Sequence, residues 1–453
     1  MKTNQGARDS RLTHAPMAAL TLASVLGVAA QFILTNPASA RQYQFSTVAG
    51  QPGAWGWEDG RTNTCGFNNP NAMVVDAQGN IYVADSLNHL LRIITPAGDV
   101  RTVAGRLLSD DGTGHHEAEP GDGVGPEAHF YYPAGLAING AGFVVVADAW
   151  HHTLRLVTPE GRVTTLAGLA LHYGHADGAG VFARFDDPTG LAADAAGNIF
   201  VADQGSHTIR MVSQDGQVTT VAGGAYQPGS ADGSALQARF FHPTGLAFDR
   251  AGNLYIADRR NNVIRKLTPD GQVSTVAGLA GSPGHADGQG ATARFFYPGG
   301  VAVDHAGNLL VTDDMSHVIR LITPAGMVST VGGIPWAGDW ADGVAAYSRF
   351  YCSFGLTMDT DGSLLIADSG NHVIRRGTLL PNPRLGLRFE ASRPRLQIEG
   401  APDTVVVVEY RTALDDAAGW QYLDSCWLGG GTGLVTDEDA GLVPQRFYRL
   451  RPE

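Results

Sequence analysis

One segment recurs six times, and that recurrence limits the possible folds more than any other feature of the chain. An Asp closing a short apolar run stands at Asp85, Asp148, Asp203, Asp258, Asp313 and Asp368; four of the five intervals are 55 residues and the other is 63. An Arg follows seven positions after each, at Arg92, Arg155, Arg210, Arg265, Arg320 and Arg375. A His lies between them at His89, His152, His207, His317 and His372, with Asn262 in the fourth copy. A Thr-Val-Ala-Gly-like segment ends at Gly50, Gly105, Gly168, Gly223, Gly278 and Gly333. Such a period marks one supersecondary unit packed against its own copies.

The third copy shows what that unit is. Leu191–Asp194, Ile199–Asp203, His207–Val212 and Val218–Ala222 read as four short strands, separated by turn pairs such as Gly197-Asn198 and Asp215-Gly216. A sheet this small cannot bury both faces alone. Six such sheets set radially around a channel can, and they leave only short edges. The expected fold is therefore all-β, a six-bladed β-propeller with four-stranded blades. The sixth copy meets Pro381 without a fourth strand, while Phe45–Gly50 precedes any complete unit. The N-terminal strand is thus expected to close blade six.

Residues 174–212, GHADGAGVFARFDDPTGLAADAAGNIFVADQGSHTIRMV, carry Gly-x-Ala-Asp-Gly and Ala-Arg-Phe ahead of a Pro-x-Gly-Leu-Ala strand. In this they closely resemble the NHL repeat, and the resemblance covers roughly residues 44–380.

Outside the repeats, residues 1–40 read as an export signal. Lys2, Arg8 and Arg11 precede an apolar stretch from Ala15 to Leu34, and Pro37–Ala40 offers small residues for cleavage. The mature protein is then expected outside the cytoplasm, as an extracellular, cell-surface or periplasmic protein with no membrane span. The propeller is expected over 41–380, a proline-bearing linker over 381–384 and a small domain over 385–453. That last segment has short strand-like runs and resembles a small β-sandwich module of secreted bacterial proteins. The formal net charge of −13, with no basic run, argues against a nucleic-acid partner.

Six equivalent Asp/His/Arg sets point to framework rather than to a catalytic centre. The Asp-Gly pairs at Asp59, Asp122, Asp177, Asp232, Asp287 and Asp342 read as caps of short turns, since one Asp per loop is too few for calcium. Positions that change between copies carry more information. The residue before the inner-strand Pro is Asn69, Tyr132, Asp187, His242 or Tyr297, and Cys352 at the matching place in the sixth copy. These are expected to ring the channel mouth, with Trp55, Trp57, Trp150 and Trp336 around them. Polar and aromatic groups at a concave opening make the candidate ligand site, for a glycan, a peptide or another protein. Cys65 and Cys352 are candidate disulfide partners, because blades one and six become neighbours when the ring closes.

The alternative function is a metal-dependent hydrolase or lyase on the same architecture. In the peptide-amidating lyases, zinc-binding histidines directly follow the inner-strand Pro. Here those positions are Asn71, Ala134, Thr189, Thr244, Gly299 and Phe354. Without such histidines, and without a Gly-x-Ser-x-Gly element, no catalytic residue, metal or cofactor is expected.

Overall fold

Each repeat builds its sheet from local turn chemistry. In the third unit, Asp194 accepts the N–H groups of Ala196 and Asn198 on one carboxylate oxygen, and Gly197 supplies the positive φ that the turn needs. The turn joins inner strand Pro188–Ala193 to second strand Ile199–Asp203. Third strand Thr208–Val212 and fourth strand Gln217–Ala222 complete the meander. This computed structural model describes residues 41–107 and 120–381, together with short strands within 19–33 and 384–452.

The six sheets share one order, and each has a fifth strand beyond the four read from the sequence. Gly178–Ala179, just upstream of blade three, pairs with Gln217 and Val218 at its outer edge. Two residues carry too little hydrophobic period to register as a strand. Ring closure follows the expectation. Tyr43–Ala49 pairs antiparallel with Val373–Leu379 and becomes the fourth strand of blade six.

The core lies between blades. Ala202, Ile209 and Ala222 of blade three pack with Phe240, Leu246 and Ile256 of blade four, and the pattern recurs around the ring. Gly135, Gly190, Gly245, Gly300 and Gly355 let successive inner strands approach closely: a Cβ on Gly190 would stand 1.9 Å from the Thr244 carbonyl oxygen. The inner strands enclose a channel cavity of about 370 Å³.

The chain divides into Gln42–Leu379 and a second unit made of both termini. In the latter, Arg384–Glu390, Arg393–Glu399 and Thr432–Thr436 form one three-stranded antiparallel sheet, and Val405–Arg411, Gln421–Trp427 and Phe447–Pro452 another. The segment read as an export signal lies outside the described residues apart from the paired strands Ala19–Thr21 and Gln31–Ile33. Among the described residues no helix is long and apolar enough to cross a membrane.

Candidate functional site

The repeated charges form a buried strut in every blade. Each third-strand Arg gives Nη1 to the second-strand Asp at 2.9–3.0 Å and Nη2 to the Asp of the Asp-Gly pair at 2.6–2.9 Å. Its guanidinium lies over the Phe of the Ala-Arg-Phe-like segment, 4.8–5.6 Å from the ring centre. The Asp-Gly carboxylates therefore hold the Arg. In four blades the short helical turn that follows has its N-cap at Val124, Ala179, Gln289 or Val344 rather than at the Asp, and carries no side-chain capping bond.

The repeated His is an interblade staple. Its ring nitrogen Nδ1 accepts the backbone N–H of the variable residue in the next blade: His89 from Tyr132, His152 from Asp187, His317 from Cys352 and His372 from Asn69, all at 3.1–3.2 Å. Asn262 Oδ1 does the same for Tyr297 at 2.9 Å; His207 Nδ1 is 3.4 Å from the His242 N–H but closer, at 3.0 Å, to the Gln204 carbonyl oxygen. Both ends of each staple have φ between 49° and 63°. Asn, Asp and His tolerate that left-handed conformation better than most residues, and β-branched ones do so poorly. Part of the chemistry at the variable positions thus follows from the backbone.

Three of the variable side chains, Tyr132, Tyr297 and Cys352, lie near Arg259 or Asp314, whereas Asp187 meets His152 and His242 meets His207. Asn71 Nδ2 donates to the Tyr132 hydroxyl at 2.9 Å, and the Tyr132 ring stacks on Trp150 with centres 4.5 Å apart and planes 12° apart. Burial pushes the Tyr132 hydroxyl above its ordinary pKa. Tyr297 lies under Arg259, whose guanidinium is 5.0 Å from that ring and 5.4 Å from Phe354. Arg259 Nη2 bonds Asp314 Oδ2 at 2.6 Å. The other oxygen, Asp314 Oδ1, is buried, and the thiol of Cys352, a weak donor, lies beside the carboxylate. Burial first, and the Asp314 charge second, push the Cys352 thiol up to about 11. His242 packs against His207, and burial with the Arg260 charge pushes it down to about 4.

Sequence reasoning missed Arg259 and Asp314, although a signal existed. The position after the second-strand Asp reads Ser86, Ala149, Gln204, Arg259, Asp314 and Ser369, with opposite charges in adjacent blades alone. The remaining candidates are less central. Trp55 and Trp57 form an exposed pair 5.9 Å apart on the connection into blade one. Trp336 is exposed, with its ring 5.8 Å from that of Phe296. The expected disulfide is absent, and both thiols are free. Cys65 occupies the fully buried site that Ala128, Ala183, Ala238, Ala293 and Ser348 fill elsewhere, and its thiol donates to the Thr62 carbonyl at 3.5 Å. Cys352 instead stands at the mouth beside Asp314, so the two occupy different layers of the unit.

A closed ring of six radial sheets around a polar-mouthed channel defines a six-bladed β-propeller. The NHL repeat family matches residues 67–94, 130–155 and 185–210. NHL repeat-containing protein 2 of Bos taurus is 29% identical over 62% of this chain, which spans 42% of that relative. Teneurin-3 of Mus musculus is 30% identical over 68% of this chain and 12% of its own length. A Bacteroides thetaiotaomicron protein of unknown function shares the fold with a TM-score of 0.57 at 19% identity, covering 74% of this chain and 76% of its own. An auxiliary nutrient binding protein of the same bacterium has a TM-score of 0.57 at 15% identity, covering 78% and 83%. The chain thus carries NHL repeats on a six-bladed β-propeller.

Proposed function

We propose that this is an exported, non-catalytic binding propeller that takes a polar ligand, a glycan or a peptide segment, at the channel mouth. The observation that carries this reading is the half-exposed aromatic platform Tyr132–Trp150, on the same loop face as the Arg259–Asp314 pair. The Tyr132 hydroxyl accepts from Asn71, which leaves its own proton to donate, and Arg259 adds further N–H donors. Flat rings with nearby donors suit sugar faces and peptide side chains. The export signal and acidic surface favour an extracellular or periplasmic partner, and the C-terminal segment is read as a small β-sandwich attachment module.

Glycan and peptide arrays probed with the mature chain should yield a ligand. Trp150→Ala should weaken its binding by about tenfold or more, as for other aromatic anchors, with little change in melting temperature. Unchanged affinity in that variant would remove the platform from the binding surface.

A further inference from the structure

We propose that His152, Asp186 and Asp187 form a site for a divalent transition-metal ion on the loop face between blades two and three. One donor atom from each lies within 4.8 Å of the other two. A nitrogen and two carboxylate oxygens suit zinc or manganese, whereas calcium takes six to eight oxygens. Three protein ligands leave coordination positions open to water or to an oxygen of a bound molecule.

The repeat supplies an independent reason to single out this corner. At the position of Asp186 the other copies carry Asn68, Tyr131, Phe241, Phe296 and Tyr351, so blade three alone has a carboxylate there. Gly205 lies directly behind it, and a Cβ on that residue would stand 2.5 Å from the Asp186 carboxyl carbon. At the same position, blades one, two, four and five carry Leu87, Trp150, Arg260 and Met315. Among the described residues, neither carboxylate forms an ion pair with Lys or Arg; His152 Nδ1, 3.6 Å from Asp187 Oδ1, is the partner of Asp187. The Tyr173 ring packs 5.8 Å from His152, and the Tyr226 hydroxyl faces Asp186.

The imidazole has a competing duty, since Nδ1 accepts the Asp187 N–H at 3.2 Å. A metal at that nitrogen replaces one long hydrogen bond with a coordinate bond. Burial disfavours the charged form of the His152 ring. Asp187 also belongs to the variable set at the mouth, but the metal site rests on the grouping of His152, Asp186 and Asp187 and not on a ligand bound there.

Blade four provides the control. Asn262 does the stapling work of a histidine there, so His152→Asn keeps the interblade bond and removes the imidazole ligand. Chelator-treated full-length chain, titrated calorimetrically with zinc, should bind one ion. His152→Asn and Asp187→Asn should each weaken that binding by about tenfold or more, with the metal-free melting temperature little changed. Cobalt(II) absorption of the wild type gives a second measurement that needs no variant and should show no thiolate charge-transfer band. The site is overturned by a wild type that binds no zinc, by stoichiometric binding that survives both substitutions, or by a thiolate band that places the ion on Cys352.

Discussion

A residue at the corner between two blades must adopt a positive φ and also present an acceptor to the next blade. His and Asn meet both demands, which explains why His372 and Asn262 occupy equivalent positions. A histidine accepts at Nδ1 only while neutral, so these staples are sensitive to acid. Burial lowers the pKa of His152 and His372. Between the folded and unfolded values the unfolded chain binds more protons, so their contribution is complete above about pH 6.5 and is lost as pH falls through the folded value. Burial acts oppositely on Asp203 and Asp313, pushing both up to about 7 against the Arg charges, and their contribution grows on acidification. Comparing variants isolates the imidazoles, because the carboxylates are common to both. In chelator-treated protein, melting curves from pH 7.5 to 4.5 should show the His152→Asn/His372→Asn double variant losing less stability than the wild type. Parallel pH profiles would mean that the staples do not titrate.

At the scale of the strand, the blades differ in chemistry but hardly in spacing. The inner strands approach so closely that a side chain at Gly190 meets backbone, which cannot yield as a flexible side chain would. Gly190→Ala should therefore destabilise the propeller by about 1–3 kcal/mol, the range for overpacking a well-filled site, read by denaturant unfolding. No loss would show that the ring can expand at that joint. Blade one carries Ala72 at the equivalent position, so glycine stands at five of the six joints. The same close approach explains why the mouth is small enough for Arg259 to lie near both Tyr297 and Phe354, which stand on successive inner-strand loops.

At the scale of the molecule, the ring depends on a strand about 330 residues distant in sequence from its partner. Tyr43–Ala49 joins blade six, and Phe45 is buried with its ring edge-on to Phe350 at 5.0 Å. Removing residues 41–49 should lower the melting temperature of the whole propeller, because it exposes the edges of third and outermost strands together. Phe45→Ala should cost about 3–5 kcal/mol through the lost burial and the cavity left behind. An unchanged melting temperature in the truncated chain would refute the closure as a source of stability.

Repeat count, blade boundaries and the closing strand were legible in the residues, because each depends on local hydrophobic period, turn chemistry and counting. The six framework charges were equally visible as framework, though not their connections: that an Asp-Gly carboxylate reaches an Arg 33 positions later is a fact of folding distance. The variable positions were visible in sequence as a set, but not which of them share neighbours. Arg259 and Asp314 are 55 residues apart and became a pair when blades four and five came together. The grouping of His152 with Asp186 and Asp187, and the separation of Cys65 from Cys352, were decided in the same way. A repeat dictates which positions are equivalent through its period; which unequal side chains touch across blades depends on the curvature of the ring and on side-chain reach, and only the tertiary structure contains those.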